Sequence, residues 1–265
     1  MPLAMNREVA INYAVQGAGE PLLLIPGLGG GIQQLAGLSQ ALAQRYRVIT
    51  VDPRGAGGSG KPDLPYDGAE LAADMAAVLD HAGCASAHVA GISFGGMIAQ
   101  QLALLRPHAV RSLLLASSYA APDAWSGRMW AVRQLLLDRL TLADHFKLAM
   151  LFLFSPRVFR EQPEALARVE AAFAAAPPDP VGYRRQLDYC ATHDTRARLG
   201  SLTQPTLVVQ GAEDILATPF QGRDLAAAIP GARYREIPAA AHLFMLADPA
   251  GFAELARRFH AGDLE

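Results

Sequence analysis

His88-Val-Ala-Gly-Ile-Ser-Phe-Gly-Gly-Met97 decides the reading of this chain. An apolar run closes on Gly91-Ile-Ser-Phe-Gly95, and apolar residues at helical spacing begin directly behind it. Gly-x-Ser-x-Gly between a strand and a helix is the arrangement of a nucleophile elbow. The residue types follow from its geometry. Ser93 has to stand in a strained turn that lifts its Oγ clear of the sheet edge, with chain passing close on both sides. A Cβ at position 91 or 95 would collide there, and glycine has none. The helix opening at Phe94 aims its free N–H groups and its positive dipole end at whatever Ser93 attacks. A strand-to-helix turn that merely contains a serine satisfies the same short pattern. The rest of the chain therefore has to supply the partners a reactive serine needs.

Bulk properties narrow the field. The 265 residues are 51% hydrophobic, enough for a sizeable core in one large α/β domain with an insertion. Charge is nearly balanced, 23 basic against 25 acidic residues, and no basic run exceeds the pairs Arg184-Arg185 and Arg257-Arg258. That pattern gives no footing for nucleic acid or an anionic membrane and leaves a small molecule as the expected partner. Cys84 and Cys190 make neither a disulfide framework nor a metal-binding spacing, and are expected to be buried apolar fillers. The opening residues lack the build of a signal peptide, and no apolar run approaches a membrane span, so a cytoplasmic location is expected.

Taken in order, Val9 to Val15 alternates as a strand, and Pro21 to Pro26 is a continuous apolar run fit for a central parallel strand covered on both faces. A flexible Gly27-Leu-Gly-Gly-Gly31 follows it, then helical spacing over Ile32 to Arg45, a strand at Val48 to Asp52 and an alanine-rich helix over Gly68 to His81. The elbow strand, its helix to Arg106 and a strand at Ser112 to Ala116 complete an alternating series. This predicts a doubly wound, mostly parallel α/β sheet. From Pro122 to Leu199 the pattern turns wholly helical, with candidates at Trp125–Leu140, Leu142–Phe154, Pro163–Ala176 and Val181–Asp194. Alternation resumes with strands at Thr206 to Gln210 and Tyr234 to Pro238, and helices at Pro219 to Ile229 and Pro249 to His260. The expected organisation is a core of residues 1–121 and 200–265 with a helical lid, 122–199, inserted between two core strands.

Through the elbow, the glycine-rich loop and the insertion, the chain resembles the α/β-hydrolase fold superfamily along essentially its whole length. Asp52-Pro-Arg-Gly-Ala-Gly-Gly-Ser59 is similar to a D-x-R-G-x-G-x-S stretch of the small lidded members, where its part is mainly structural. The superfamily's triad runs serine, acid, histidine in chain order. That implies Ser93, then Asp214 in the loop after the strand ending at Gln210, then His242 after the last strand. Glu213, next to Asp214, and Asp123, soon after an earlier strand, remain alternative acids. His81, His88, His108, His145, His193 and His260 are other histidines, but only His242 lies between a final strand and a final helix. The chemistry needs such a trio. Serine is a weak nucleophile until a base takes its proton, and a carboxylate fixes the imidazole tautomer and stabilises the imidazolium. The resemblance also implies an oxyanion hole from the backbone N–H groups of Leu28 and Phe94. The usual His-Gly of the first loop is here Pro26-Gly27, which leaves any loop-holding bond from that histidine to be replaced.

The implied activity is a cofactor-free and metal-free serine hydrolase acting on a small carboxylic ester or (enol-)lactone, nearest to enol-lactone and aminoacrylate hydrolases. Carbon–carbon bond hydrolases and cofactor-free haloperoxidases or perhydrolases share the same triad and are alternatives. Trp125, Met129, Trp130, Phe152 and Phe154 give the insertion apolar bulk and are candidate pocket residues, whereas Arg128, Arg133, Arg184 and Arg185 are candidates for binding a substrate carboxylate. One rival comes from another class. Gly55 to Lys61 fits most of a phosphate-binding loop, but Pro62 lacks the hydroxyl for Mg²⁺, and Lys61-Pro-Asp-Leu-Pro65 cannot open a helix.

Overall fold

A computed structural model describes residues 1–264. In chain order it contains β1 (Leu3–Asn6), β2 (Val9–Gln16), β3 (Glu20–Ile25), α1 (Ala36–Leu42), β4 (Tyr46–Val51), α2 (Gly68–His81), β5 (Ala87–Ile92), α3 (Phe94–Leu105) and β6 (Val110–Ala116). Then come α4 (Ala124–Leu137), α5 (Leu142–Leu153), α6 (Pro156–Glu161), α7 (Pro163–Ala175) and α8 (Pro180–Thr192). The chain finishes with β7 (Thr206–Gly211), α9 (Pro219–Ala228), β8 (Arg233–Ile237), α10 (Phe244–Ala247) and α11 (Pro249–His260).

The strands form one eight-stranded sheet in the order β1-β2-β4-β3-β5-β6-β7-β8. β2 runs antiparallel to β1 and to β4, and the pairings from β4 across to β8 are parallel. Both faces are covered, which is why the central strands read as unbroken apolar runs. Leu23, Ile25, Val89, Leu113, Leu115 and Val208 face one core, shared with α2, α3 and α9. Leu22, Leu24, Ala90, Leu114, Leu207 and Val209 face the other, under α1 and α11. The period-two alternation of strand side chains divides them between the two layers.

Chain order reverses at β3: β4 lies on one side of it and β5 on the other. The loops leaving the carboxyl ends of β3 and β5 therefore come together at a topological switch point, where open α/β sheets place their ligands. Between β6 and β7 the chain is helical, as the sequence predicts, and α8 docks this insertion on the core. A Cβ on Gly182 would stand 2.0 Å from the Gly55 carbonyl oxygen.

The structure departs from the sequence reading in small ways. Residues 32–35 are turn, and α1 begins only at Ala36, because Ile32 N–H is turned to Asp52 Oδ1. The short hairpin strand β1, helix α6 and helix α10 had too few residues to show a period. Among the described residues no helix is long and apolar enough to cross a membrane.

Candidate active site

Ser93 stands where β5 turns into α3, with φ 54° and ψ −116°. A residue with a side chain holds such a conformation only where its surroundings enforce it. The enforcement is close packing. A Cβ on Gly91 would lie 2.4 Å from the Gly95 carbonyl oxygen, and one on Gly95 would lie 2.2 Å from that of Ile25. Two further bonds pin the turn to β6: Ser93 N–H donates to the Ala116 carbonyl at 2.9 Å, and Ser118 Oγ donates to the Ser93 carbonyl at 3.0 Å.

The neighbouring serine ties in the histidine. Ser117 Oγ donates to the His242 carbonyl at 2.7 Å, so adjacent residues at the end of β6 hold both the Ser93 turn and the His242 loop. His242 and Asp214 are 1% and 2% exposed, and His242 Nδ1 lies 2.8 Å from Asp214 Oδ2. An ionised carboxylate only accepts, so Nδ1 carries the proton and Nε2 is left with a free lone pair. Asp214 Oδ1 accepts from the N–H groups of Leu216 at 2.9 Å and Ala217 at 3.0 Å. Gly211, at the end of β7, lets the two loops meet, since a Cβ there would strike the Ala240 and Ala241 carbonyls. Gln210, fully buried, donates to the Ala217 carbonyl at 2.8 Å and closes the acid's own turn.

The alternative acids have other partners. Glu213 faces Arg157 at 3.5 Å, and its carboxyl is held below the usual range by Ser155 and Arg157. Asp123 caps α4 by accepting from Ser126 N–H at 2.8 Å. The other histidines are similarly tied or remote. His81 bonds Tyr13, His88 bonds Ser112, and His108 is exposed. Burial pushes His145 down to about 4 and His193 and His260 to about 3, so these three stay neutral as packed side chains.

On the facing side lies the loop after β3. A Cβ on Gly27 would come within 3.5 Å of the Ser93 Cβ. Among the described residues neither Leu28 N–H nor Phe94 N–H has a protein acceptor. The loop is held without a histidine at position 26. Gly29 N–H donates to Gln186 Oε1 at 2.8 Å, and Gln186 Nε2 donates to the Arg54 carbonyl at 2.8 Å, so one buried amide from α8 clasps two core loops. Asp52 accepts from Ile32 N–H and from Gly58 N–H, both at 2.8 Å. Sequence reasoning missed Gln186, Ser117 and Ser118 in these positions. The adjacent serines closing an apolar strand were a usable signal, because short hydroxyl side chains there bond neighbouring backbone. Gln186 gave none, one amide among many polar residues of an amphipathic helix.

Gly55 to Lys61 makes no phosphate cradle. The N–H groups of Gly55, Ala56, Ser59 and Gly60 donate to backbone carbonyls, that of Gly58 to Asp52, and Lys61 Nζ to the carbonyls of Gly57 and Ser59. An anion would need those donors free.

The apolar residues of the insertion separate. Trp130 and Met129 are buried, with Trp130 Nε1 donating to Tyr119 Oη at 2.6 Å. Phe152 packs against the core from a half-buried position. Trp125 is half exposed, its indole N–H on the Ile215 carbonyl at 2.6 Å, just beyond Asp214. Phe154 lines a cavity of about 520 Å³ with Ala241, Leu243 and Phe244, on the flank of the His242 loop, and Ser93 is not part of its lining.

Residues 20–249 match the sequence profile described as alpha/beta hydrolase fold. The chain belongs to the α/β-hydrolase fold family. This α/β hydrolase is similar to a protein of Azorhizobium caulinodans that carries the name carbamate hydrolase RutD, 36% identical over 96% of each chain. Among solved structures, this α/β hydrolase is similar to Est816, described as an N-acyl homoserine lactone degrading enzyme. The identity is 32%, the TM-score 0.85, and the match covers 97% of this chain and 100% of the other. The enol-lactonase from Burkholderia xenovorans LB400 matches at 26% identity and a TM-score of 0.89, over 98% of this chain and all of that one.

Proposed function

We propose that this chain is a serine hydrolase of small acyl compounds, with Ser93 as nucleophile, His242 as base and Asp214 as the acid that orients it. Ser93 Oγ attacks the substrate carbonyl and passes its proton to His242 Nε2. The N–H groups of Leu28 and Phe94 receive the developing oxyanion. Collapse expels the alcohol, which takes the proton from His242, and leaves an acyl-Ser93 ester. Water, deprotonated by the same imidazole, then attacks that ester, and the free acid leaves with Ser93 restored. Residues 122–199 act as the lid of this site: α8 clasps the oxyanion loop through Gln186, and α4 lies over the acid loop through Trp125.

One observation carries the reading. A buried imidazole bonded at 2.8 Å to a buried carboxylate hangs from the same strand end as a strained serine. Esters and lactones are the substrate classes we favour, and the RutD-named relatives add carbamates. A panel of p-nitrophenyl esters of rising acyl length, simple lactones and carbamates tests it. Turnover in at least one class should fall by about 10⁴-fold or more in Ser93→Ala. Turnover that survives that substitution would remove the proposal.

A further inference from the structure

The cavity beside the His242 loop, about 520 Å³, has the size of a small-molecule site. Insertion and core each supply one side of it. Phe154 and Val158 line it from the insertion, Leu243 and Phe244 from just after His242, and Phe252 and Leu255 from α11. Helix α6 has no buried residue, although it carries the apolar Val158 and Phe159. An apolar body in the cavity would give Val158 the dry surface it lacks.

The charged groups around the cavity are unevenly paired. Glu254 accepts from Arg257 at 2.8 and 2.7 Å, and Asp248 caps α11 by accepting from Gly251 N–H at 2.9 Å. Arg157 pairs with Glu161 and Glu213 and donates to the Ala239 carbonyl. Two core arginines are left. Arg235 has no ion pair or hydrogen bond among the described residues, and Arg258 donates only to the Asp263 carbonyl, at 3.0 Å. Strand alternation puts Arg235 and Ile237 on one face of the edge strand β8, and both line the cavity. The arginines of the insertion lie elsewhere. Arg184 pairs with Asp138 at 2.5 Å, Arg185 with Asp63 at 2.7 Å, Arg133 Nη2 donates to Tyr183 Oη at 2.8 Å, and Arg128 is exposed.

We infer that this cavity is a binding site for a medium-chain carboxylate, with the alkyl chain between α6 and α11 and the head group at Arg235 and Arg258. Both acidic side chains of the lining already have donors, so the unmatched charge there is positive. A guanidinium fork suits a carboxylate through two parallel bonds. Ser93 is outside the lining, so the ligand is held intact, and the inference stands apart from the serine-hydrolase reading. Ala239, Ala240 and Ala241 border the cavity and lead into His242, and Ala239 is left-handed at φ 53°. A ligand there touches the insertion and the His242 loop together and fastens one to the other.

Calorimetric titration with hexanoate, octanoate, decanoate and 1-octanol tests the site. Affinity should rise about tenfold for each two carbons added, as burial of methylene groups requires. Octanoate should bind about tenfold or more tighter than 1-octanol, the scale of a charge-assisted bond. Arg235→Glu should remove that preference and leave 1-octanol unchanged. Ala247→Trp, which fills the cavity, should abolish binding of both and the rise in melting temperature that octanoate gives the wild type. Positions 235 and 247 are exposed, so both variants keep the fold. Equal binding of octanoate and 1-octanol by the wild type, or no binding of either, overturns the inference. Octanoate binding at wild-type strength in either variant overturns it too, by placing the ligand elsewhere.

Discussion

Ser93 adopts a backbone conformation that costs about 1–3 kcal/mol, held by glycines on both sides and by bonds to β6. Such strain persists only where the surrounding packing over-determines it, and here the turn is packed against the Gly27 loop, within 3.5 Å of where a Cβ on Gly27 would stand. The Asp214 carboxylate is satisfied on both oxygens, by two backbone N–H groups and by His242. Replacing it with Asn keeps the shape but lets the side chain offer an N–H where His242 needs an acceptor. Asp214→Asn should therefore lower kcat by about four orders of magnitude, as tautomer loss does in such triads. Glu213→Gln and Asp123→Asn should leave turnover within a few-fold, since those carboxylates serve Arg157 and the α4 cap. Steady-state kinetics of the three variants checks this, and near-normal turnover in Asp214→Asn would move the acid elsewhere. The residues proposed for these roles could be named from chain order, because strand, loop and turn residues sit at fixed places in an alternating fold. Asp214, named as the acid from the resemblance, is the one that faces His242, while spacing alone left Glu213 beside it as an alternative, because neighbouring side chains on a loop diverge through turn geometry that spacing does not encode.

At the scale of elements, the insertion carries two buried neutral histidines, His145 in α5 and His193 at the end of α8. Burial, aided by Arg133 beside His145, lowers the first to about 4, and burial lowers the second to about 3. The sign follows from proton uptake. Below about pH 6.5 the unfolded chain binds protons at these sites while the native chain does not, so the stability present above that pH is lost as pH falls. Each histidine contributes a slope of up to about 1.4 kcal/mol per pH unit between 6.5 and its folded value. The urea midpoint should drop between pH 7.5 and 5.5, a window above the carboxylate titrations. An unchanged midpoint would mean that these rings charge freely in the folded chain. The helices α4, α5, α7 and α8 were readable within a few residues from their apolar period, and α7 and α8 also from prolines at their starts. The short α6 and α10, which shape the cavity beside the His242 loop, were not, because one turn and a half of helix gives no period to read.

For the whole molecule, loops at the strand ends of the core carry the three residues proposed for the chemistry, and the insertion clasps the loops beside them. At α8 the contact between the two runs through Gly182 against Gly55, and through Gln186 bridging Gly29 and Arg54. A methyl group at 182 has no room, so Gly182→Ala should push α8 off the core. The expected cost is about 1–3 kcal/mol by overpacking, with kcat falling further than stability alone explains because the Gln186 bond is lost. Melting temperature and kcat measured together test this, and full activity in a destabilised variant would detach the clasp from the chemistry. The doubly wound sheet was legible because its central strands are apolar on both faces, whereas the docking of α8 rests on a glycine-to-glycine approach between residues 127 positions apart, beyond any local pattern. The central claim, that Ser93 becomes acylated, is tested most directly by intact-mass spectrometry with peptide mapping after exposure to a p-nitrophenyl phosphonate. One adduct per chain is expected, on the peptide containing Ser93, in step with loss of hydrolysis and absent from Ser93→Ala. Hydrolysis that continues without an adduct, or an adduct on another residue that tracks the loss, would contradict it.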